Sequence, residues 1–99
     1  MKVVRGTVVL VELDPAVNAD QRFPLIAVVP LTGTPGEGAL YPELSPGRSG
    51  LTKTSYALVD RIRSIDKHRI RSVFGRVTTE ELASVDQGLE LFLGLGSGR

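Results

Sequence analysis

The residues best equipped for chemistry stand together at positions 60–70, DRIRSIDKHRI. Arg61, Arg63, Lys67 and Arg69 surround His68 there, and six of the twelve lysines and arginines fall between positions 61 and 76 against one carboxylate, Asp66. Arginine keeps its charge at any physiological pH, and its planar fork matches phosphate oxygens. Such a cluster holds a nucleic-acid backbone or forms a solvated face with local ion pairs through Asp60 or Asp66, and composition alone leaves both readings open. His68 is a candidate general base by residue type alone. With arginines around it and no serine–carboxylate set beside it, it reads as a solvent-facing tip residue.

Other catalytic sets are weak or excluded. With no cysteine there is neither a thiol nucleophile nor a thiolate metal site, and one histidine argues against a histidine-rich metal centre. The glycine-rich stretch 33–50, GTPGEGALYPELSPGRSG, lacks the G-x-x-x-x-G-K-[ST] spacing of a phosphate-cradling loop. It reads as a long mobile surface loop with one short strand near 39–44. Thr32, at the end of an apolar run, reads by itself as a turn hydroxyl.

The elements that must position these groups are mostly strands. Residues 7–13, TVVLVEL, are rich in β-branched side chains and stop at Asp14-Pro15. Residues 25–31, LIAVVPL, are apolar without alternation and predict a strand buried on both faces, with Pro30 at its end. Residues 55–59 and 61–65 continue the pattern, and 71–77 make a further strand in which Gly75 signals a bulge or a close backbone approach. The one clear helix starts at Thr78-Thr79-Glu80-Glu81, where a hydroxyl and a carboxylate three residues apart form a capping box. Leu82, Val85, Leu89, Phe92 and Leu93 recur at helical spacing until Gly94 and Gly96. The outline is a mainly β, mostly antiparallel domain with a C-terminal helix.

At 99 residues the chain is read as one domain, 1–99, with 41% hydrophobic and 23% charged residues, too apolar for disorder. A net charge of +1 excludes a globally basic nucleic-acid binder, so any anion site must be local. The N-terminal apolar run is short, is interrupted by Glu12 and lacks a signal-peptide cleavage site, and no stretch approaches a membrane span. A cytoplasmic location is expected.

Four segments in order, RGTVVLVELDP, VVPLTG, DRIRSIDKHRI and FGRVTTEELASVDQGLELFLGL, resemble the MazF/PemK family of toxin endoribonucleases. Each is weak alone; in register they are specific. The resemblance implies a small SH3-like barrel of the CcdB/PemK type with a C-terminal helix, a homodimer, a cognate antitoxin covering the RNA groove, and cleavage of single-stranded RNA with no metal or other cofactor. It places the family's phosphate-stabilising threonine at Thr32, with Gly33 where a second hydroxyl is usual. Arg5 falls on the opening R-G, Asp60 and Arg63 on the D-x-I-R element, and Arg61 replaces a glutamine on the expected RNA path. Those residues, with His68 at the rim, are the expected RNA contacts.

One departure bears on catalysis. Only twelve residues, AVNADQRFPLIA, separate Pro15 from VVPLTG. Two alignments fit. In the favoured one about a strand's worth of family sequence is absent there, and with it the arginine of the family's R-P motif, for which Arg22 is the candidate substitute. In the other, residues 20–24, DQRFP, stand in for the R-P segment and two strands are merged. Two further readings follow: a family member that binds RNA or antitoxin without cutting, and a gyrase-directed toxin of the same fold using the end of the C-terminal helix.

Overall fold

The computed structural model describes residues 3–13 and 25–96. Seven short strands precede one helix: β1 (Thr7–Val11), β2 (Ile26–Val28), β3 (Leu31–Thr32), β4 (Glu43–Leu44), β5 (Ser55–Ala57), β6 (Arg63–Ile65), β7 (Ile70–Arg76) and α1 (Thr79–Leu93). Single 3₁₀ turns, Val59–Arg61 and Lys67–Arg69, flank β6. The chain is mainly β with a C-terminal helix, as expected. Its ladders, all antiparallel, form three small sheets among the described residues: β1 with β7, β2 with β6, and β3 and β4 on either side of β5.

β1 forms where its β-branched run predicts and stops at Val11. Opposite it, the register slips between Val8 and Val9, which pair with Gly75 and Val73, so that Phe74 bulges. The same glycine admits a crossing segment. A Cβ on Gly75 would stand 2.2 Å from the Arg48 carbonyl oxygen, and the Arg76 N–H donates to that oxygen at 3.1 Å. Bulge and close approach therefore occur together at Gly75.

The apolar run 25–31 departs from expectation in two ways. It divides at Val29-Pro30 into β2, which pairs with β6, and β3, which pairs with β5. Proline has no N–H for a ladder, and the Pro30 carbonyl instead accepts from Leu58 at 2.8 Å. Nor is the run buried on both faces: its residues are half-buried or exposed. Covering both faces takes packed layers on each side, and here the core lies beside β5.

That core is compact. Leu44, Ala57 and Val59 are almost fully enclosed, with Val29, Leu40, Leu51, Val77, Val85 and Leu89 packed around them. The segment 33–50, expected to be a mobile loop, is tied down. Gly50 donates to the Gly47 carbonyl at 2.8 Å, Ser49 Oγ donates to the Ser45 carbonyl at 2.9 Å, and Val59 donates to the Leu40 carbonyl at 3.1 Å.

The helix begins as its capping box requires. Glu81 N–H donates to Thr78 Oγ1 at 3.0 Å, and Thr78 N–H donates to Glu81 Oε1 at 2.9 Å. Gly94 closes it in the left-handed region at φ 69°. Val85, Gly88 and Leu89 face the core, whereas Phe92 and Leu93 stay exposed past its edge.

Candidate functional site

Thr32 ends β3 directly opposite Tyr56 of β5, which in turn faces Glu43 of β4. Cross-strand partners project to one side of a sheet, so Thr32, Tyr56 and Glu43 form a row. The alternation is visible in β5, where Ser55 and Ala57 are buried and Tyr56 between them is half-exposed. The Thr32 hydroxyl oxygen accepts from the Thr34 N–H at 3.1 Å, which fixes its rotamer and leaves its own proton to donate elsewhere.

Beside this row lies a cleft of about 410 Å³ lined by Thr32, Thr34, Pro35, Gly36, Tyr41, Leu58 and Arg61. It brings together two residues singled out in the sequence, the hydroxyl of Thr32 and the guanidinium of Arg61. Arg61 closes the 3₁₀ turn after β5, and Arg63 lies exposed two residues on in β6. Neither makes an ion pair among the described residues. A hydroxyl donor beside an unneutralised arginine is an arrangement suited to a phosphate.

Asp60 behaves differently from a simple RNA contact. Its Oδ2 accepts from the Tyr41 hydroxyl at 2.8 Å, and its Oδ1 is buried without a hydrogen-bond partner. That bond to the carboxylate holds the Tyr41 pKa above the ordinary tyrosine value, since losing the phenol proton would set two negative oxygens against each other. No local pattern announces this pair, because it joins positions nineteen residues apart.

The remaining predicted residues are dispersed. Arg5 is ion-paired with Asp86 of α1 and borders another cleft, apolar and about 880 Å³, with β1, β2 and the helix. His68 is exposed at the second 3₁₀ turn, as a tip residue should be; its N–H donates to Asp66 Oδ1 at 2.9 Å and its Nδ1 lies 3.3 Å from the same oxygen. Arg71 is bound to Glu12 at 2.8 Å and so contributes little to a free positive patch. Arg22 and the Asp14-Pro15 turn fall outside the described residues. Lys53, unremarked in the sequence, fills the space that a side chain at Gly33 would occupy: a Cβ there would meet its Nζ at 2.9 Å. Among the described residues no group of three or more His, Cys, Asp or Glu could hold a metal ion, and no helix is long and apolar enough to cross a membrane.

The family model for the PemK-like, MazF-like toxin of type II toxin–antitoxin systems matches residues 8–93, nearly the whole chain. The chain belongs to this toxin family. Endoribonuclease EndoA of Bacillus subtilis (strain 168) is 28% identical to it, with 96% of this chain and 97% of the relative covered. That alignment runs over 113 residues, more than the 99 of this MazF-like chain, so EndoA has residues with no counterpart here. Solved structures agree on the fold. An endoribonuclease in complex with its cognate antitoxin, from a mycobacterial species, superposes with a TM-score of 0.77 at 21% identity, covering 96% of this toxin and 98% of that chain. A second mycobacterial endoribonuclease gives 0.74 at 25% identity, covering 94% and 92%.

Proposed function

We propose that this toxin is an endoribonuclease that cuts single-stranded RNA without a metal, acting as one domain and as a homodimer restrained by a cognate antitoxin. The observation that carries it is the cleft in which Thr32 and Arg61 meet, on a chain that belongs to a toxin family with endoribonuclease relatives. In the reaction the ribose 2′-oxygen attacks the adjacent phosphorus and gives up its proton to water, while the bond to the 5′-oxygen breaks and that leaving oxygen takes up a proton from water. The products are a 2′,3′-cyclic phosphate and a 5′-hydroxyl. The Thr32 hydroxyl donates to a non-bridging oxygen as negative charge accumulates, and Arg61 neutralises it. Arg22 is the proposed second group at the phosphate. Arg5, Arg63, Asp60 and His68 complete the proposed RNA contacts, with Asp60 acting through Tyr41. A messenger RNA substrate places the action in the cytoplasm.

The test is incubation of the purified chain with a long single-stranded RNA in excess EDTA, beside Thr32→Ala, with fragment ends read on a sequencing gel. Site-specific cuts that fall on the order of 100-fold or more in the variant, at unchanged thermal stability, are the expected result. Equal cutting by the variant would remove Thr32 from the chemistry. A second reading has its own support: the chain is shorter than its alignment with EndoA. If the absent residues carried the family's R-P arginine, the chain would be a binding module, seen as salt-sensitive RNA binding without scission.

A further inference from the structure

The chain has two tyrosines and no tryptophan, and both tyrosines stand beside Thr32. Tyr56 is its direct cross-strand partner and shares its side of the sheet, while Tyr41 lines the cleft into which Thr32 opens. Nothing in the packing of the core requires them there, since the core around Leu44, Ala57 and Val59 is aliphatic. We propose that Tyr41 and Tyr56 are stacking platforms for the nucleobases on the two sides of the phosphate held at Thr32. The inference rests on the RNA-cleaving function proposed above and specifies how the same site holds its substrate.

A single strand of RNA offers three recognisable parts: a charged phosphate, a ribose and an unstacked base with two π faces. Arg61 and Thr32 meet the first. An aromatic ring meets the last with little dependence on base identity, and this is the usual means by which proteins hold unpaired nucleotides. Tyr41 is prepared for the task. Its hydroxyl is anchored on Asp60, and Gly36 stands so close behind it that a Cβ there would fall 2.8 Å from Tyr41 Cβ and 3.0 Å from Cγ. A ring fixed at both ends loses little further rotamer freedom when a base stacks on it. Tyr56 is held by the ladder on both sides, against Thr32 and against Glu43. A phosphate at Thr32 thus has one ring across the strand and another along the cleft, so one base can be held on each side of the bond to be cut.

The experiment begins by mapping the cut on a long RNA. Oligonucleotides spanning that cut are then made with a 2′-deoxyribose at the attacking position, so that they bind without being cleaved, and with single abasic nucleotides at successive positions. Binding is measured for the wild-type chain, Tyr41→Leu and Tyr56→Leu, with Tyr41→Phe retaining the ring. Removal of one base beside the cut is expected to weaken wild-type binding about tenfold and Tyr41→Leu binding hardly at all, with the same coupling for Tyr56 at a base across the cut. On cleavable RNA the leucine variants raise KM more than they lower kcat, and Tyr41→Phe shows the same abasic penalty as wild type. Abasic penalties that are equal in wild type and both leucine variants would overturn the platforms while leaving the ribonuclease standing. A loss of activity that follows only the melting temperature of the variants would do the same. A wild-type chain that neither cuts nor binds RNA would overturn the function first and the platforms with it.

Discussion

A hydroxyl that already accepts one hydrogen bond presents its proton in a restricted direction, which suits Thr32 to the role proposed for it at the phosphate better than a freely rotating turn threonine. The neighbouring Tyr41–Asp60 bond can be tested separately, by titration. Because Asp60 raises the Tyr41 pKa, the folded chain holds the phenol proton more tightly than the unfolded chain. The stability this adds is present in full below the unfolded tyrosine pKa of about 10 and is lost as pH rises through the folded value. Phenolate absorbance should therefore show one tyrosine ionising above the ordinary range, returning toward it in Asp60→Asn. The stability gap between wild type and Tyr41→Phe should close under strongly alkaline conditions. A Tyr41 titration indifferent to Asp60→Asn would mean that the bond is not made in solution.

The elements behind the site are keyed to one another at glycines. Gly88 sits where α1 crosses Val59 and Ala39, and a Cβ there would come within 2.6 Å of the Ala39 carbonyl oxygen and 3.2 Å of Val59 Cγ2. In an isolated helix Gly→Ala gains about 1 kcal/mol. Here the contact is with backbone, so Gly88→Ala should instead destabilise the chain and disturb the adjoining turn that carries Asp60 and Arg61. Thr78→Ala is the contrasting case, expected to cost about 1 kcal/mol through the lost cap without changing cleavage of the surviving folded chain. Urea unfolding and cleavage assays on the pair separate the two effects, and a stabilised Gly88→Ala would show that the helix is free to shift. The same elements show what a sequence reveals. The capping box, the Gly94 stop, β1 and the Gly75 bulge were legible because each is written in a few adjacent residues. The division of residues 25–31 was not, because it depends on which distant strand each half meets. For the same reason the positions of Thr32 and Arg61 could be named in advance through family resemblance, whereas Tyr41, Asp60 and Lys53 acquire their surroundings only in three dimensions.

For the molecule as a whole, the described residues leave apolar surface uncovered: Leu91, Phe92, Leu93 and Leu95 are exposed at the end of the helix, and the large cleft beside β1 and β2 is lined mainly by aliphatic side chains. Burying such side chains against a second copy is favourable by roughly 25 cal/mol per Å² of apolar surface and is consistent with the proposed homodimer. Association that stabilises only the folded state makes the melting temperature rise with protein concentration. Sedimentation should accordingly show a dimer that dissociates on dilution, and the thermal midpoint should fall over the same range. A Leu91→Ser, Leu95→Ser variant distinguishes the helix end from the cleft as the contact. If that variant still dimerises, the cleft side is the interface; a monomer with a concentration-independent midpoint in the wild type would mean that the chain closes its apolar surface unaided.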